Sequence, residues 1–385
     1  MKAIIHATIE TMTGKPIENG TVLFNESEIV SVGESLTLPS DVEIIDGTGM
    51  YVTPGLIDAH THLGAFIQGY PESMSDGNEM TNPLTPQLRI LDAIYQDDPG
   101  FSEALSGGVT CVQILPGSAN VIGGEGAIVK TCADVVDRMV VRAPSGMKAA
   151  LGENPVRVYG GKTNMPMTRM ANASLMRQAL NDAHNYQGKK EQAEKKGEFF
   201  EKNLGMEALL PVINRELPLR IHCHRSDDIA TAIRIAEEFN ILYTIEHCTE
   251  GHLIASYLAE KNIMAAIGPT LTGKPKLELK NASWQTLTTL YNAGVHFCII
   301  TDHPVIPIDQ FYVCAALAFK AGLPRDIALK AITIFAAEHL GIADKVGTLE
   351  KGKDADIVLW DGDPLDVRSH VLRTFIEGRE VYSKE

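Results

Sequence analysis

Hydrophobic and polar positions follow two different patterns along the chain. In residues 1–53 and 345–385, short apolar or alternating runs are separated by Gly, Asn and Pro, which is typical of short strands and turns. Between these two ends, continuous apolar runs alternate with stretches of helical periodicity. Continuous apolar runs indicate strands that are buried on both faces, as parallel strands are.

The central region reads as a repeated strand–helix unit. The predicted strands are the run that begins at Leu56, then 108–115, 127–133, 146–151, 217–223, 242–248, 262–267 and 295–301. The predicted helices are 98–106, 171–203, 228–240, 251–261, 283–293, 323–330 and 331–340. Alternating strands and helices predict an α/β fold with a parallel sheet, and eight units predict a (β/α)8 TIM barrel. A doubly wound open sheet is the alternative, but no Gly-rich phosphate loop between a strand and a helix favours it.

The two β-rich ends predict a second, smaller domain. Chain termini often lie close together in compact domains. We therefore expect residues 1–53 and 345–385 to pair into a small composite β-sandwich, and residues 54–344 to form the barrel.

Composition and charge narrow the functional class. The net charge is −15 and no long basic run is present, so a nucleic-acid partner is not expected. No apolar stretch reaches the roughly 18 uncharged residues of a transmembrane helix, and the apolar character of the N-terminus breaks too early for a signal peptide. The six cysteines are scattered and mostly lie in apolar runs, as expected for reduced, buried cysteines. We predict a cytoplasmic protein without a membrane partner, and a homo-oligomer is compatible with the sequence.

A pair of histidines ends the first strand of the predicted barrel. His60 and His62 are spaced i, i+2, so on a strand both side chains point to the same face, about 7 Å apart at the backbone. Imidazole is a common ligand for zinc and related ions. Two histidines do not complete a metal site, and we expect further ligands at the carboxyl ends of other strands, where TIM barrels place their catalytic residues.

Ligand-type residues do follow several other predicted strands. His222 and His224 end the fifth strand, His247 ends the sixth, and Asp302 follows the eighth directly. A lone histidine at a strand end is more often a hydrogen-bonded structural residue. Histidines at three strand ends together with this aspartate instead favour one metal site.

Lys148 lies inside the apolar fourth strand, where an unpaired lysine is costly to bury. One interpretation makes it the partner of a buried carboxylate such as Glu125 or Glu153. The other is chemical, because a carbamylated lysine carries a carboxylate that can bridge two cations.

Three motifs carry a resemblance to a known family. Thr53-Pro-Gly-Leu-Ile-Asp-Ala-His-Thr-His62 resembles the opening signature of the metal-dependent amidohydrolase superfamily, and Thr301-Asp-His-Pro304 resembles its strand-eight aspartate motif. The segment Gly347-Thr-Leu-Glu-Lys-Gly-Lys-Asp-Ala-Asp-Ile-Val358, with Asp361-Gly-Asp-Pro364, resembles the entry to the family's C-terminal β-domain. The resemblance covers nearly the whole chain and implies a TIM barrel with a small composite β-sandwich. Within the superfamily, the chain is most similar to imidazolonepropionase-related and dipeptidase-like amidohydrolases.

The resemblance implies a role for each candidate ligand. The implied metal ligands are His60, His62, Lys148, His222, His247 and Asp302. His60 and His62 would bind the more buried metal, and His222 and His247 the more exposed one. Asp302 would bind the first metal and shuttle protons.

Three of these assignments leave alternatives open. His224 faces the same side as His222 and could replace it or contact the substrate. Glu125, before the third strand, could supply the bridge instead of Lys148. The expected cofactor is a divalent metal, with zinc favoured: two ions if Lys148 is carbamylated and one otherwise.

The implied reaction is hydrolysis of an amide, cyclic amide or peptide-like C–N bond by a metal-activated hydroxide. Asp302 would take the proton of the water and return it to the leaving nitrogen. Two alternatives remain. The first is a mononuclear aminohydrolase of the imidazolonepropionase or deaminase type, in which Lys148 is an ordinary amine. The second is a non-catalytic barrel that acts as a binding scaffold.

The substrate is expected to be a small molecule, and a substrate carboxylate would need a cationic partner. Arg225 follows the histidines of the fifth strand, and Arg169 and Lys162 lie in the long loop after the fourth strand. Guanidinium groups bind carboxylates in a bidentate fashion, so these three residues are the candidates for substrate binding.

Overall fold

The computed structural model describes residues 1–71, 75–162 and 164–385. The strands are β1 Lys2–Ile9, β2 Ile17–Phe24, β3 Ile29–Gly33, β4 Glu43–Asp46, β5 Tyr51–Pro54, β6 Leu56–Thr61, β7 Val109–Ile114, β8 Ile122–Lys130, β9 Val140–Ala150, β10 Leu219–Cys223, β11 Tyr243–His247, β12 Met264–Ile267, β13 His296–Ile299, β14 Ile357–Trp360, β15 Val371–Ile376 and β16 Arg379–Ser383. The helices are α1 Pro99–Ser106, α2 Val136–Met139, α3 Glu153–Gly160, α4 Arg169–Lys196, α5 Leu204–Ile213, α6 Ser226–Glu238, α7 Ala255–Glu260, α8 Gln285–Asn292, α9 Phe311–Lys320, α10 Arg325–Lys330 and α11 Ile334–Leu340. No helix in these three ranges is both long and apolar enough to cross a bilayer.

One eight-stranded sheet forms a nearly closed barrel. Strands β6 to β13 are neighbours in chain order, and each overlaps one of the predicted apolar runs. Across the closing seam, the amide of Asp302 donates a hydrogen bond of 3.1 Å to the carbonyl of His60. The seam therefore brings the segment after the last barrel strand against the first strand.

The barrel departs from the predicted all-parallel arrangement at β8. This strand pairs antiparallel with both β7 and β9, whereas the other neighbouring pairs in the barrel are parallel. A parallel connection needs a crossover of about a dozen residues or more. The chain between Ile114 and Ile122 is too short for one, and the link from Lys130 to Val140 holds only the short α2. Strands β7, β8 and β9 therefore form a meander.

The two chain ends share a second eight-stranded sheet. Its order is β16-β15-β14-β5-β1-β2-β3, with β4 parallel to β1. The ends meet in the antiparallel pair β14–β5, in which Val358 lies opposite Thr53, and in a bridge between Glu28 and Asp354. A composite sandwich and a domain division at residues 53/54 and 344/345 stay predictions.

Buried polar contacts fix this terminal sheet to the barrel. The ammonium of Lys130 on β8 lies 2.8 Å from a carboxylate oxygen of both Asp354 and Asp356. The indole of Trp360 donates to the hydroxyl of Thr53 at 3.0 Å. The Lys130 ion pairs join the terminal sheet to barrel strand β8, and the Trp360 hydrogen bond ties β14 to β5, the strand that directly precedes β6.

Two differences from the predicted helices bear on the site. Helix α4 ends at Lys196 rather than at 203, because Gly197 adopts a left-handed conformation (φ +67°) that caps the helix. Helix α3 was not predicted, since it directly follows β9 and is only eight residues long. It projects from the same end of β9 as the predicted site.

Candidate metal centre

Two triads of ligand-type side chains lie side by side at the carboxyl ends of the barrel strands. The first triad is His60, His62 and Asp302, and the second is His222, His224 and His247. In each triad, one ligand atom per residue lies within 4.8 Å of the others. The rings of His60 and His247 have centroids 4.7 Å apart, so the triads adjoin.

Strand periodicity places four of these side chains. His60 lies on β6 and His62 directly follows its last residue, while His222 lies on β10 and His224 directly follows its last residue. Each pair shares a face at i, i+2 spacing. All four are buried. This is the geometry that the histidine spacing predicts.

The other two triad members sit on unusual backbone. His247 follows Glu246 directly, so a fully extended strand would send the two side chains to opposite faces. His247 instead has φ +72°, and both side chains turn toward His60. Asp302 likewise has φ +56°. A non-glycine residue in this left-handed backbone conformation is energetically strained, and such residues cluster at functional sites.

Hydrogen bonds fix one ring nitrogen in most of the histidines. Nδ1 of His62 donates to the carbonyl of Leu115 and Nδ1 of His247 to the carbonyl of Gly268, both at 2.8 Å. Nδ1 of His224 shares a hydrogen bond of 2.8 Å with the hydroxyl of Thr249. Anchoring one nitrogen in this way leaves Nε2 free to face a cation, which is the usual arrangement of metal-binding histidines.

Several buried polar atoms of the triads lack a hydrogen-bond partner. Among the described residues, none bonds to Nδ1 of His222, Nε2 of His247 or Oδ1 of Asp302. Buried polar atoms are nearly always partnered, so unpartnered ones need an explanation. A cation would satisfy all three, and the nitrogen and oxygen donors suit zinc and similar ions. The residues present therefore fit a metal.

Electrostatics keep the donors in the forms that bind cations. Burial lowers the pKa of His224 and of His247 to about 3, so both rings are neutral at physiological pH. Burial alone would raise the pKa of Asp302, but His247 and His62 hold it below its usual range. Neutral imidazoles and an ionised carboxylate are the metal-binding forms.

Lys148 contacts the first triad and lies close enough to the second to add to the effect of burial in lowering the pKa of its three histidines. Its side chain is fully buried, and its ammonium is 3.0 Å from Nε2 of His60. Burial lowers the pKa of Lys148 to about 8, although Asp302 and Glu246 partly oppose the shift. The bridging role of Lys148 stays a prediction.

A buried carboxylate lies behind the first triad. Oε2 of Glu246 accepts a hydrogen bond of 2.9 Å from Nδ1 of His60, while Oε1 lies 3.2 Å from Nε2 of His339 and accepts from Thr244 at 2.6 Å. The guanidinium of Arg220, also buried, donates to the hydroxyl of Thr244 and to the carbonyl of His339. Burial alone would raise the pKa of Glu246, but His339 and His60 lower it. The ionised carboxylate orients His60 and increases the basicity of its Nε2.

The first triad opens onto a cavity of about 560 Å³. His62 and Asp302 form part of its wall, and two cations, Arg157 and Lys276, also line it. This volume falls in the range of small-molecule sites. A small substrate in the cavity would lie directly against Asp302.

Comparison with models of known protein families identifies the family of this chain. The model of the amidohydrolase family matches residues 51–381. The chain belongs to the amidohydrolase family. It is accordingly a hydrolytic enzyme that acts on C–N bonds, as the sequence predicted, and its family is metal-dependent.

Individual relatives agree with this placement. A crystal structure of an amidohydrolase from Thermotoga maritima MSB8 is 43% identical, with a TM-score of 0.97 and full coverage of both chains. The amidohydrolase tasK of Hapsidospora irregularis is 29% identical over 93% of this chain, which spans only 39% of that relative's length. The imidazolonepropionase of Thermoplasma volcanium is 24% identical over 90% of this chain and 85% of its own.

Four other residues that the sequence suggested, three for substrate binding and one for the metal bridge, lie apart from the triads of this amidohydrolase. The guanidinium of Arg225 pairs with Asp227, that of Arg169 with Asp228, and that of Arg89 with the carboxylate of Glu125, at 2.8, 3.0 and 3.4 Å respectively. Lys162 donates to the carbonyl of Met80 at 2.7 Å. None of Arg225, Arg169, Lys162 and Glu125 is among the described residues that line the cavity or form a triad.

Strand periodicity explains why Arg225 turns away. His222 and His224 point into the barrel, so the next residue along an extended chain points out. The same periodicity would have identified the buried Arg220, two residues before His222, and Glu246, two residues after Thr244. No sequence signal marks Lys276, which lies in an irregular loop after β12.

Proposed function

We propose that this amidohydrolase is a binuclear metal-dependent hydrolase that cleaves an amide, cyclic amide or peptide-like C–N bond of a small substrate. The observation that carries the proposal is the pair of adjacent triads, with Lys148 in contact with His60 of the first. One triad accounts for one cation. Two triads whose histidine rings are 4.7 Å apart account for two.

The first cation would be held by His60, His62 and Asp302, and the second by His222 and His247, with His224 as a third histidine. Zinc suits this set, since it binds histidine nitrogen and carboxylate oxygen. Metal ions in such sites lower the pKa of a water molecule and polarise the substrate carbonyl.

Lys148 would serve as the bridge in its carbamylated form. As a free ammonium, Lys148 donates a hydrogen bond to Nε2 of His60 and so engages the lone pair that would otherwise bind a cation. The lowered pKa makes a larger share of neutral amine available, and neutral amine attacks carbon dioxide to form a C–N bond and release a proton. The product is a carboxylate whose two oxygens face the two triads.

Asp302 would move the proton. Its carboxylate stays ionised and lines the cavity 3.2 Å from Nε2 of His62. It accepts the proton of the attacking water and then gives it to the leaving nitrogen, so one carboxylate acts first as base and then as acid. Its left-handed backbone aims the side chain into the cavity.

A mononuclear aminohydrolase is the second candidate. The unmodified Lys148 ammonium, 3.0 Å from Nε2 of His60, is compatible with a single cation near the second triad. A relative named imidazolonepropionase also aligns over most of its length.

The test is a screen of N-acyl amino acids, dipeptides and cyclic amides with the zinc-loaded protein, together with Asp302→Asn. We expect turnover of at least one class, and a loss of about 100-fold or more in kcat for Asp302→Asn with most metal retained. Asp309→Asn, outside the described cavity lining, is the matched control. Near-normal turnover in Asp302→Asn would remove the proton-shuttle assignment.

A further inference from the structure

Two cations converge on the cavity from different elements. Arg157 projects from α3, and Lys276 lies in the loop between β12 and α8. Both line the cavity that also contains Asp302 and His62. They are close enough that Arg157 adds to the effect of burial in lowering the pKa of Lys276.

Neither cation has a partner at hydrogen-bond distance among the described residues. Within the part of the chain that the structure describes, the guanidinium of Arg157 makes no hydrogen bond or ion pair, and the ammonium of Lys276 comes no nearer than 3.9 Å to a carboxylate, that of Glu278. Glu278 is itself buried, and its Oε2 accepts from the amide of Glu153. It therefore holds Lys276 loosely without occupying the ammonium.

The remaining wall of the cavity combines apolar and polar side chains. Phe66, Ile67, Val158 and Val305 line it together with polar side chains. An apolar pocket with a few convergent charged groups is the usual form of a site that orients one small ligand. Here the charged groups opposite Asp302 are both positive, which selects for an anion.

We propose that Arg157 and Lys276 form the subsite for a free carboxylate of the substrate, so that the enzyme takes N-acyl amino acids or dipeptides with an apolar side chain. This inference rests on the proposed function for the position of the scissile bond. The planar guanidinium of Arg157 binds a carboxylate in a bidentate fashion, and the ammonium of Lys276 supplies a second charge. The apolar residues of the lining, among them Phe66 and Val158, receive the side chain, and the amide carbon then faces Asp302.

The subsite is tested by binding rather than turnover. The probes are N-methanesulfonyl-L-leucine and its carboxamide, which differ only in the charged group and resist hydrolysis at the sulfonamide. Their Kd values are measured by calorimetry on the zinc-loaded wild type, on Arg157→Met, Lys276→Met and the double variant, and on Lys280→Met. Lys280 is four residues from Lys276 along the chain but is exposed and outside the described cavity lining.

We expect the wild type and Lys280→Met to bind the carboxylate about 10-fold or more tightly than the carboxamide. Each single variant should lose part of that preference and the double variant all of it, with carboxamide affinity unchanged. Equal affinity for the two probes in the wild type, no binding of either, or a preference that persists in the double variant overturns the subsite. Loss of the preference in the double variant, combined with no turnover of any N-acyl amino acid, dipeptide or cyclic amide by the wild type, would keep the subsite and overturn the proposed reaction.

Discussion

Glu246 and His60 form a fully buried pair in which a carboxylate oxygen lies 2.9 Å from Nδ1 of the imidazole. The contact fixes Nδ1 as the donor and turns Nε2 of His60 toward Lys148 and Asp302. Since Glu246 also accepts from Thr244 and lies beside His339, its position is set from three sides. The carboxylate is therefore a support for the metal centre rather than a ligand.

The first prediction concerns this support. Glu246→Gln retains an acceptor for Nδ1 of His60 but removes the charge that makes the ring a better donor. We expect zinc affinity to fall by about 10- to 100-fold, as for other groups that orient metal-binding histidines. Competition with a chromophoric chelator measures it, and kcat should recover at saturating zinc.

Glu238→Gln is the matched control for this variant, because Glu238 is partly exposed and pairs only with Arg177 at 2.7 Å. Its zinc affinity should equal that of the wild type. Unchanged affinity in Glu246→Gln would show that the buried carboxylate does not tune His60.

The second prediction concerns the modification of Lys148. In the presence of bicarbonate, the intact protein should gain the mass of one carbon dioxide together with its metals. Lys148→Met keeps the buried position apolar and removes the amine, so the adduct should vanish and bound metal should drop by about one ion per chain. Native mass spectrometry checks both. Two retained ions in Lys148→Met would overturn the bridging role of Lys148, and one ion in both proteins would argue for the mononuclear candidate.

The third prediction concerns the stability of the joint between barrel and terminal sheet. Lys130→Met leaves Asp354 and Asp356 without the cation that they share, and the side chain of Asp356 is only 3% exposed. Removal of one partner of a buried ion pair costs about 3–5 kcal/mol, and we expect a loss of that order in the free energy of unfolding, measured by urea titration. Arg138→Met, which breaks an exposed pair with Asp134, should cost about 1 kcal/mol or less.

The fourth prediction is a pH effect through His339. Burial lowers the pKa of this ring below its ordinary value of 6.5. As pH falls below about 6.5, the unfolded chain takes up a proton there and the folded protein does not. Stability is therefore lost on acidification, by up to about 1.4 kcal/mol per pH unit.

His339→Gln retains an N–H donor toward Glu246 and removes the titration. We expect urea midpoints of the chelator-treated variant to decline less steeply than those of the wild type from about pH 6.5 to about pH 5. Equal slopes in the two proteins would mean that His339 gains its proton in the folded state as readily as in the unfolded chain.

The sequence predicted the barrel strands and the triads for a physical reason. Period-two geometry and the rule that barrel sites lie at strand ends act on local sequence, and His60, His62, His222 and His224 obey both. The relation of β8 to its neighbours was predicted wrongly, because an apolar run does not encode strand direction. Direction follows from connection length, which the links before Ile122 and after Lys130 would have shown.

The same reasoning did not predict the two cations that line the cavity. Arg157 lies on a short helix that was not predicted, and Lys276 lies in a loop, so neither follows a period. Arg225 and Arg169 were candidates for substrate binding because they follow the ends of predicted barrel strands, but each pairs with a nearby aspartate. Proximity in sequence to a ligand histidine does not determine which way an arginine points.

Elemental analysis of the protein purified with zinc and bicarbonate tests the two-cation centre most directly. We predict about two zinc ions per chain, falling to about one in His62→Asn and also in His247→Asn, because each variant removes a ligand from a different triad. About one ion per chain in the wild type, lost completely in both variants, would contradict a binuclear centre.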